Sequence, residues 1–136
     1  MSKFILLILF LLDVYYCTKK EEPETFLINP NSLSEKEITI KSGKEFVIKL
    51  ACFSSSYVLL NKKDNNDVIV FQKTGSIDEH YDGENIGGRR GYLLYYFKAN
   101  TSTKEPRLLK FTDTYSYLRE TNPVPKLVVK VNVVEK

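Results

Sequence analysis

The chain has no tryptophan, one histidine and two cysteines among 136 residues, and these scarcities exclude whole classes of chemistry. Zinc-type sites need several Cys or His ligands at once, and His80, Cys17 and Cys52 do not supply such a set. One His and one Cys are enough for a nucleophile pair in principle, but no orienting partner or oxyanion loop accompanies them. His80, flanked by Glu79 and Tyr81 in a polar stretch, reads as a surface side chain. The stretch Asp64-Asn65-Asn66-Asp67 lacks the spacing and the Glu of a calcium loop and reads as a turn. No catalytic residue and no cofactor is expected.

Neither charge sign is in strong excess. Lys+Arg 20 against Asp+Glu 17 leaves a formal charge of only +3, and the basic residues are scattered, so a nucleic-acid partner has little electrostatic support. No apolar run is long enough to span a bilayer, since the run over residues 4–12 has nine residues. Helix-length periodic segments and internal repeats are also missing, and low complexity is approached only at Ser54-Ser55-Ser56.

What is present begins with an address. Lys3 followed by the apolar run suits the h-region of a signal peptide, so residues 1–17 are expected to leave and residues 18–136 to form one domain. The stretch Val14-Tyr15-Tyr16-Cys17 is a poor cleavage site, which keeps an uncleaved N-terminal anchor open as the competing reading. The expected location is the secretory pathway, ending outside the cell or in vesicles of the lysosome or phagosome type, with no membrane association after leader removal. If Cys17 leaves, Cys52 has no partner within a monomer, and the fold depends on its core rather than on a disulfide. Cys52 itself is either a small buried hydrophobe or an exposed thiol. Asn100-Thr101-Ser102 is a glycosylation sequon in a polar turn, so Asn100 is a candidate acceptor in an exported chain.

The remainder reads as strands. Ile38 and Ile40 alternate with polar residues, Ser42-Gly43 turns the chain, and Phe46, Ile48 and Leu50 alternate with Val47 and Lys49. A short strand is expected over residues 68–71, a long loop over 74–90, strands over 92–99 and 107–111, a loop over 112–125 and a last strand over 126–134. In that last strand Leu127, Val129, Val131 and Val133 share one face. About seven strands and no helix predict an all-β, immunoglobulin-like antiparallel β-sandwich. Phe46, Ile48, Leu50, Phe97, Val129 and Val131 are predicted to point into one core.

Residues 82–99 organise the functional reading. Gly83, Gly87, Gly88 and Gly91 are four of the six glycines, and they precede the aromatic strand beginning at Tyr92. A glycine-built loop delivered by a rigid strand offers main-chain contacts to a partner, although an ordinary tight turn is the alternative for Gly87 and Gly88.

Several segments taken together resemble one family. They are Ile-Thr-Ile-Lys-Ser-Gly-Lys-Glu-Phe-Val-Ile-Lys-Leu over residues 38–50, a Ser-rich loop closing on Tyr57, Asn-Ile-Gly-Gly over 85–88 leading to Tyr-Tyr-Phe-Lys-Ala over 95–99, Leu108 to Phe111, and Val-Val-Lys-Val-Asn-Val over 128–133. This order resembles the chagasin-type inhibitors of papain-like cysteine proteases. The resemblance implies an immunoglobulin-like sandwich, a monomer, in which three loops at one end form a wedge that blocks the protease cleft. Those loops carry Asn-Pro-Thr-Thr-Gly, Gly-x-Gly-Gly, and Arg-Pro-Trp or Arg-Pro-Phe. Here Phe53, Ser54, Ser55, Ser56 and Tyr57 stand for the first, and Asn85, Ile86, Gly87 and Gly88 for the second. Asp113, Thr114 and Tyr115 fall on the third, with Asp113 in the Arg position and Tyr115 in the aromatic one. Tyr57 is equally readable as a core residue.

The expected partner is therefore a papain-like cysteine protease. An exported β-sandwich that binds another protein or a glycan is the alternative. The wedge requires the segments 52–57, 83–90 and 112–117 to lie side by side, with 62–67 and 100–106 at the opposite end.

Overall fold

A computed structural model describes residues 21–52, 56–79 and 90–136; the leader expected at 1–17 lies outside them. Eight strands are described: β1 (Glu24–Ile28), β2 (Glu35–Lys41), β3 (Glu45–Cys52), β4 (Tyr57–Leu59), β5 (Ile69–Glu79), β6 (Arg90–Ala99), β7 (Arg107–Asp113) and β8 (Leu127–Val134). They form two four-stranded sheets, ordered β1-β3-β6-β5 and β2-β8-β7-β4, facing each other as an immunoglobulin-like sandwich.

Alternation decides which residues meet between the sheets. Phe46, Ile48 and Leu50 of β3 and Leu127, Val129, Val131 and Val133 of β8 are fully buried, because a two-residue period aims every second side chain at the same layer. All six residues predicted for the core belong to one buried cluster. Across the first sheet Phe46 stacks on Phe97 at 5.2 Å, and Phe71 meets Phe97 edge-on at 5.6 Å. Tyr95 continues the series into the second sheet by an edge contact with Phe111 at 5.1 Å.

The sheets are mixed rather than purely antiparallel. β1 pairs with β3 and β2 with β8 in parallel, while the other pairs are antiparallel. Residues 29–34 carry the chain from one sheet to the other, so β1 and β2 find partners distant in sequence instead of forming a hairpin. Alternation identifies a strand without naming its neighbour.

Two segments expected as loops are ordered differently. β5 runs on to Glu79, past the expected end at residue 71, with a register irregularity between Phe71 and Lys73. Its continuation includes Gly75, Asp78 and Glu79, residue types depleted in strands, and the antiparallel ladder with β6 supplies what propensity lacks. The expected 112–125 loop contains a helix, α1 (Thr114–Arg119), directly after β7.

At the β2–β3 turn Gly43 has a φ of 86°, where an added Cβ would also meet the Lys136 Cε at 2.7 Å. Beyond β4, Asn61 replaces backbone pairing with its side chain: Nδ2 donates to Leu108 O at 2.8 Å and Oδ1 accepts from Lys110 N at 2.9 Å. Buried Asn65 donates to the same carbonyl at 2.9 Å. The segment read as a polar turn therefore holds the second sheet's edge.

Candidate protease-binding end

Strand register brings the described flanks of the three segments to one end. Cys52 at the end of β3 is the partner of Gly91 in β6, and Glu79 is the partner of Arg90 across β5 and β6. The chain thus leaves at Cys52 and Glu79, and re-enters at Arg90, on the same rim. Tyr57 opens β4 opposite Asp113, the last residue of β7. Thr114 N donates to Ser56 O at 2.9 Å, and the Ser56 and Thr114 hydroxyls are hydrogen-bonded. Phe53, Ser54, Ser55, Asn85, Ile86, Gly87, Gly88 and His80 lie outside the described residues.

The turns expected at the far end are there. Asn100 N donates to Val68 O at 2.8 Å, and the Arg107 guanidinium pairs with Asp67 at 2.9 Å. Both belong to the end at which Glu45 pairs with Lys98, seven register steps from Cys52 and Gly91, or about 24 Å along the strand.

Tyr57 takes the core role of the two left open for it, being only 8% exposed. In the β4–β7 ladder, Thr114 bonds across to Ser56 and Leu60 to Lys110, so Tyr57 occupies the alternate position and its carbonyl points to the free edge. The Tyr95 hydroxyl donates to that carbonyl from the opposite sheet. Burial pushes the Tyr95 phenol up to about 12. Tyr95 therefore holds the backbone at Tyr57. Tyr95→Phe leaves a buried carbonyl unpaired and is expected to cost about 1–3 kcal/mol in urea unfolding. Unchanged stability would mean that water replaces the phenol.

The third segment is a helix because Asp113 caps it. With φ −70° and ψ 153°, Asp113 remains extended, and its Oδ1 accepts from Ser116 N at 2.7 Å. Its Oδ2 accepts from Ser116 Oγ at 3.1 Å and pairs with Lys126. The side chain aligned with the family's Arg is thus occupied within the fold. The sequence signal was available, since Asp precedes Tyr115-x-x-Leu118 with Arg119 in the last turn, but loop alignment concealed it.

The Lys126 bond, followed by those from Ser116, holds the Asp113 carboxyl down at about 2. An unfolded aspartate titrates near 3.8, so this stabilisation is present above about pH 4 and is lost as the pH falls towards 2. Asp113→Ala is expected to lower Tm by a few degrees at neutral pH and to flatten the Tm profile between those values, with Asp113→Asn intermediate at neutral pH. A profile unchanged by either substitution would remove the carboxylate from this role.

The helix leaves an apolar surface facing outward. Tyr115 is 65% exposed and Leu118 75%, three residues apart on a helix whose first residue, Thr114, is bonded to Ser56; Val124, 73% exposed, follows the helix. Arg119 lies 4.5 Å from the Tyr115 ring centre, one helical turn away. Leu118, Arg119 and Val124 had not been singled out from the sequence. Cys52, half-buried at the same rim, has a thiol raised by burial and thereby kept from the reactive thiolate form.

No family model and no curated protein sequence matches the chain. Among solved structures, it is similar to the cysteine protease inhibitor EhICP2 from Entamoeba histolytica, with a TM-score of 0.53 and 10% identity over 85% of this chain and 100% of that one. Amebosin in solution is also similar, with a TM-score of 0.47 and 14% identity over 83% of this chain and 100% of that one. At 10% identity the first likeness is one of fold.

Proposed function

We propose that this chain is a proteinaceous, monomeric inhibitor of papain-like cysteine proteases that acts by occluding the active-site cleft. The observation that carries the reading is the gathering of the Cys52 and Ser56 flanks, the β5–β6 strand ends and helix α1 at one rim. Likeness in fold to a named cysteine protease inhibitor supports it.

The resemblance in sequence assigns the cleft contacts to Phe53, Ser54, Ser55 and Ser56, and to Asn85, Ile86, Gly87 and Gly88. Glycine main chain suits a cleft that accepts extended peptide, because N–H and C=O groups approach without a Cβ in the way. Tyr115 adds aromatic area at low entropic cost. Nothing in this action needs bond-making by the chain itself. Export on a leader over residues 1–17 belongs to the same proposal and rests on Lys3 and the apolar run after it.

Titration of the recombinant chain from Thr18 onward against a papain-type protease tests the reading. The expected result is stoichiometric loss of activity with the added chain intact. Full protease activity at micromolar chain, or rapid cleavage of the chain, would overturn it.

A further inference from the structure

We propose that Asn100 is an N-glycosylation site whose oligosaccharide leaves the candidate protease-binding end uncovered. Asn100-Thr101-Ser102 is the one Asn-x-Ser/Thr sequence in the chain. Other asparagines have structural duties for their side chains: Asn29 accepts from Asn31 N at 3.0 Å, Asn61 and Asn65 hold Leu108 O, and Asn132 donates to Glu37 at 2.7 Å.

Asn100 differs in using its backbone for that purpose. Its N donates to Val68 O at 2.8 Å, and its O accepts from Ser42 Oγ at 2.9 Å. Among the described residues its exposed carboxamide makes no hydrogen bond, so substitution at Nδ2 removes nothing from the fold. The position directly follows β6, whose other end carries Gly91 beside Cys52. Eight steps of strand separate Gly91 from Ala99, about 27 Å at the usual rise. An oligosaccharide on Asn100 therefore starts from the far end of the sandwich.

In the transfer, Asn100 Nδ2 bonds to the anomeric carbon of an oligosaccharide carried on a polyprenyl diphosphate. The bond from that carbon to the diphosphate oxygen breaks, the diphosphate leaves with the electron pair, and the amide loses one proton. Transfer acts on the extended chain during export, and the fold afterwards has only to leave the amide in solvent.

The test is cell-free translation of the full chain with secretory microsomes, in parallel with a version whose residues 1–17 are replaced by a proven secretory leader. Protease-protected chain should show a mobility increase that peptide N-glycosidase reverses. Asn100→Gln and Ser102→Ala should abolish the increase, whereas Thr101→Ala should keep it because the middle position is not read. Modification only with the replacement leader would support the acceptor site while removing the native leader. Protected chain without modification, or modification that survives Asn100→Gln, would overturn the proposal.

Discussion

Phe97→Ala is expected to destabilise the fold by about 3–5 kcal/mol, the range for removing a buried aromatic ring and leaving a cavity behind it. Phe97 is buried between Phe46, stacked at 5.2 Å, and Phe71, edge-on at 5.6 Å, so its removal strips contacts from both neighbouring strands of the first sheet. These neighbours sit on backbone fixed by the β3–β6 and β5–β6 ladders and can move only slightly into the space. Cys52 is free, so no bond at that position limits the loss. For a domain of ordinary stability, roughly 5–15 kcal/mol, the variant loses about a fifth or more of the total. Urea and thermal unfolding would measure it, with Phe97→Leu as a partial filling expected to cost less than half as much. A cost below about 1 kcal/mol for Phe97→Ala would mean that the aromatic row does not hold the sheet.

Combined Tyr115→Ala and Leu118→Ala is expected to weaken protease inhibition by about 2–4 kcal/mol, or roughly 30- to 1,000-fold in Kd. Both side chains are exposed on one face of α1, three residues apart, and Arg119 braces the tyrosine ring. Exposed in the free chain, they contribute little to its stability; buried against a partner, they would supply desolvated area beside the first segment. The measurements are an inhibition constant and a melting curve on the same variant. Lost inhibition with an unchanged Tm is the expected pair of results. Unchanged inhibition, in a wild type that does inhibit, would remove α1 from the contact surface.

These two variants act on different levels of information. The burial of Phe97 was legible because β6 is packed with aromatic and apolar residues, and such a composition needs no knowledge of a partner strand. The exposure of Leu118 was not legible. An apolar residue in a supposed loop reads as filler until the Asp113 cap and the Lys126 pair set the helix and with it the direction of each side chain.

The candidate site divides in the same way. The glycine-rich stretch before the aromatic strand, and the Ser-rich stretch before Tyr57, were found from composition and order. That their flanks share a rim depends on Cys52 meeting Gly91 and on Thr114 bonding to Ser56, contacts 39 and 58 residues apart in sequence. Tyr95 was assigned to the aromatic strand, but its bond to the Tyr57 carbonyl crosses between sheets.

The sequence by itself determined the all-β class, where most strands lie, and which side chains enter the core, because side-chain alternation and turn residues act over a few positions. Only the tertiary structure decided the parallel pairing of β1 and β2, the extension of β5 to Glu79, and the pairing of the helix-capping Asp113 with Lys126. Those outcomes depend on hydrogen-bond partners supplied by distant strands and on one lysine after the helix, and a local pattern carries no information about groups that reach it only when the chain has folded.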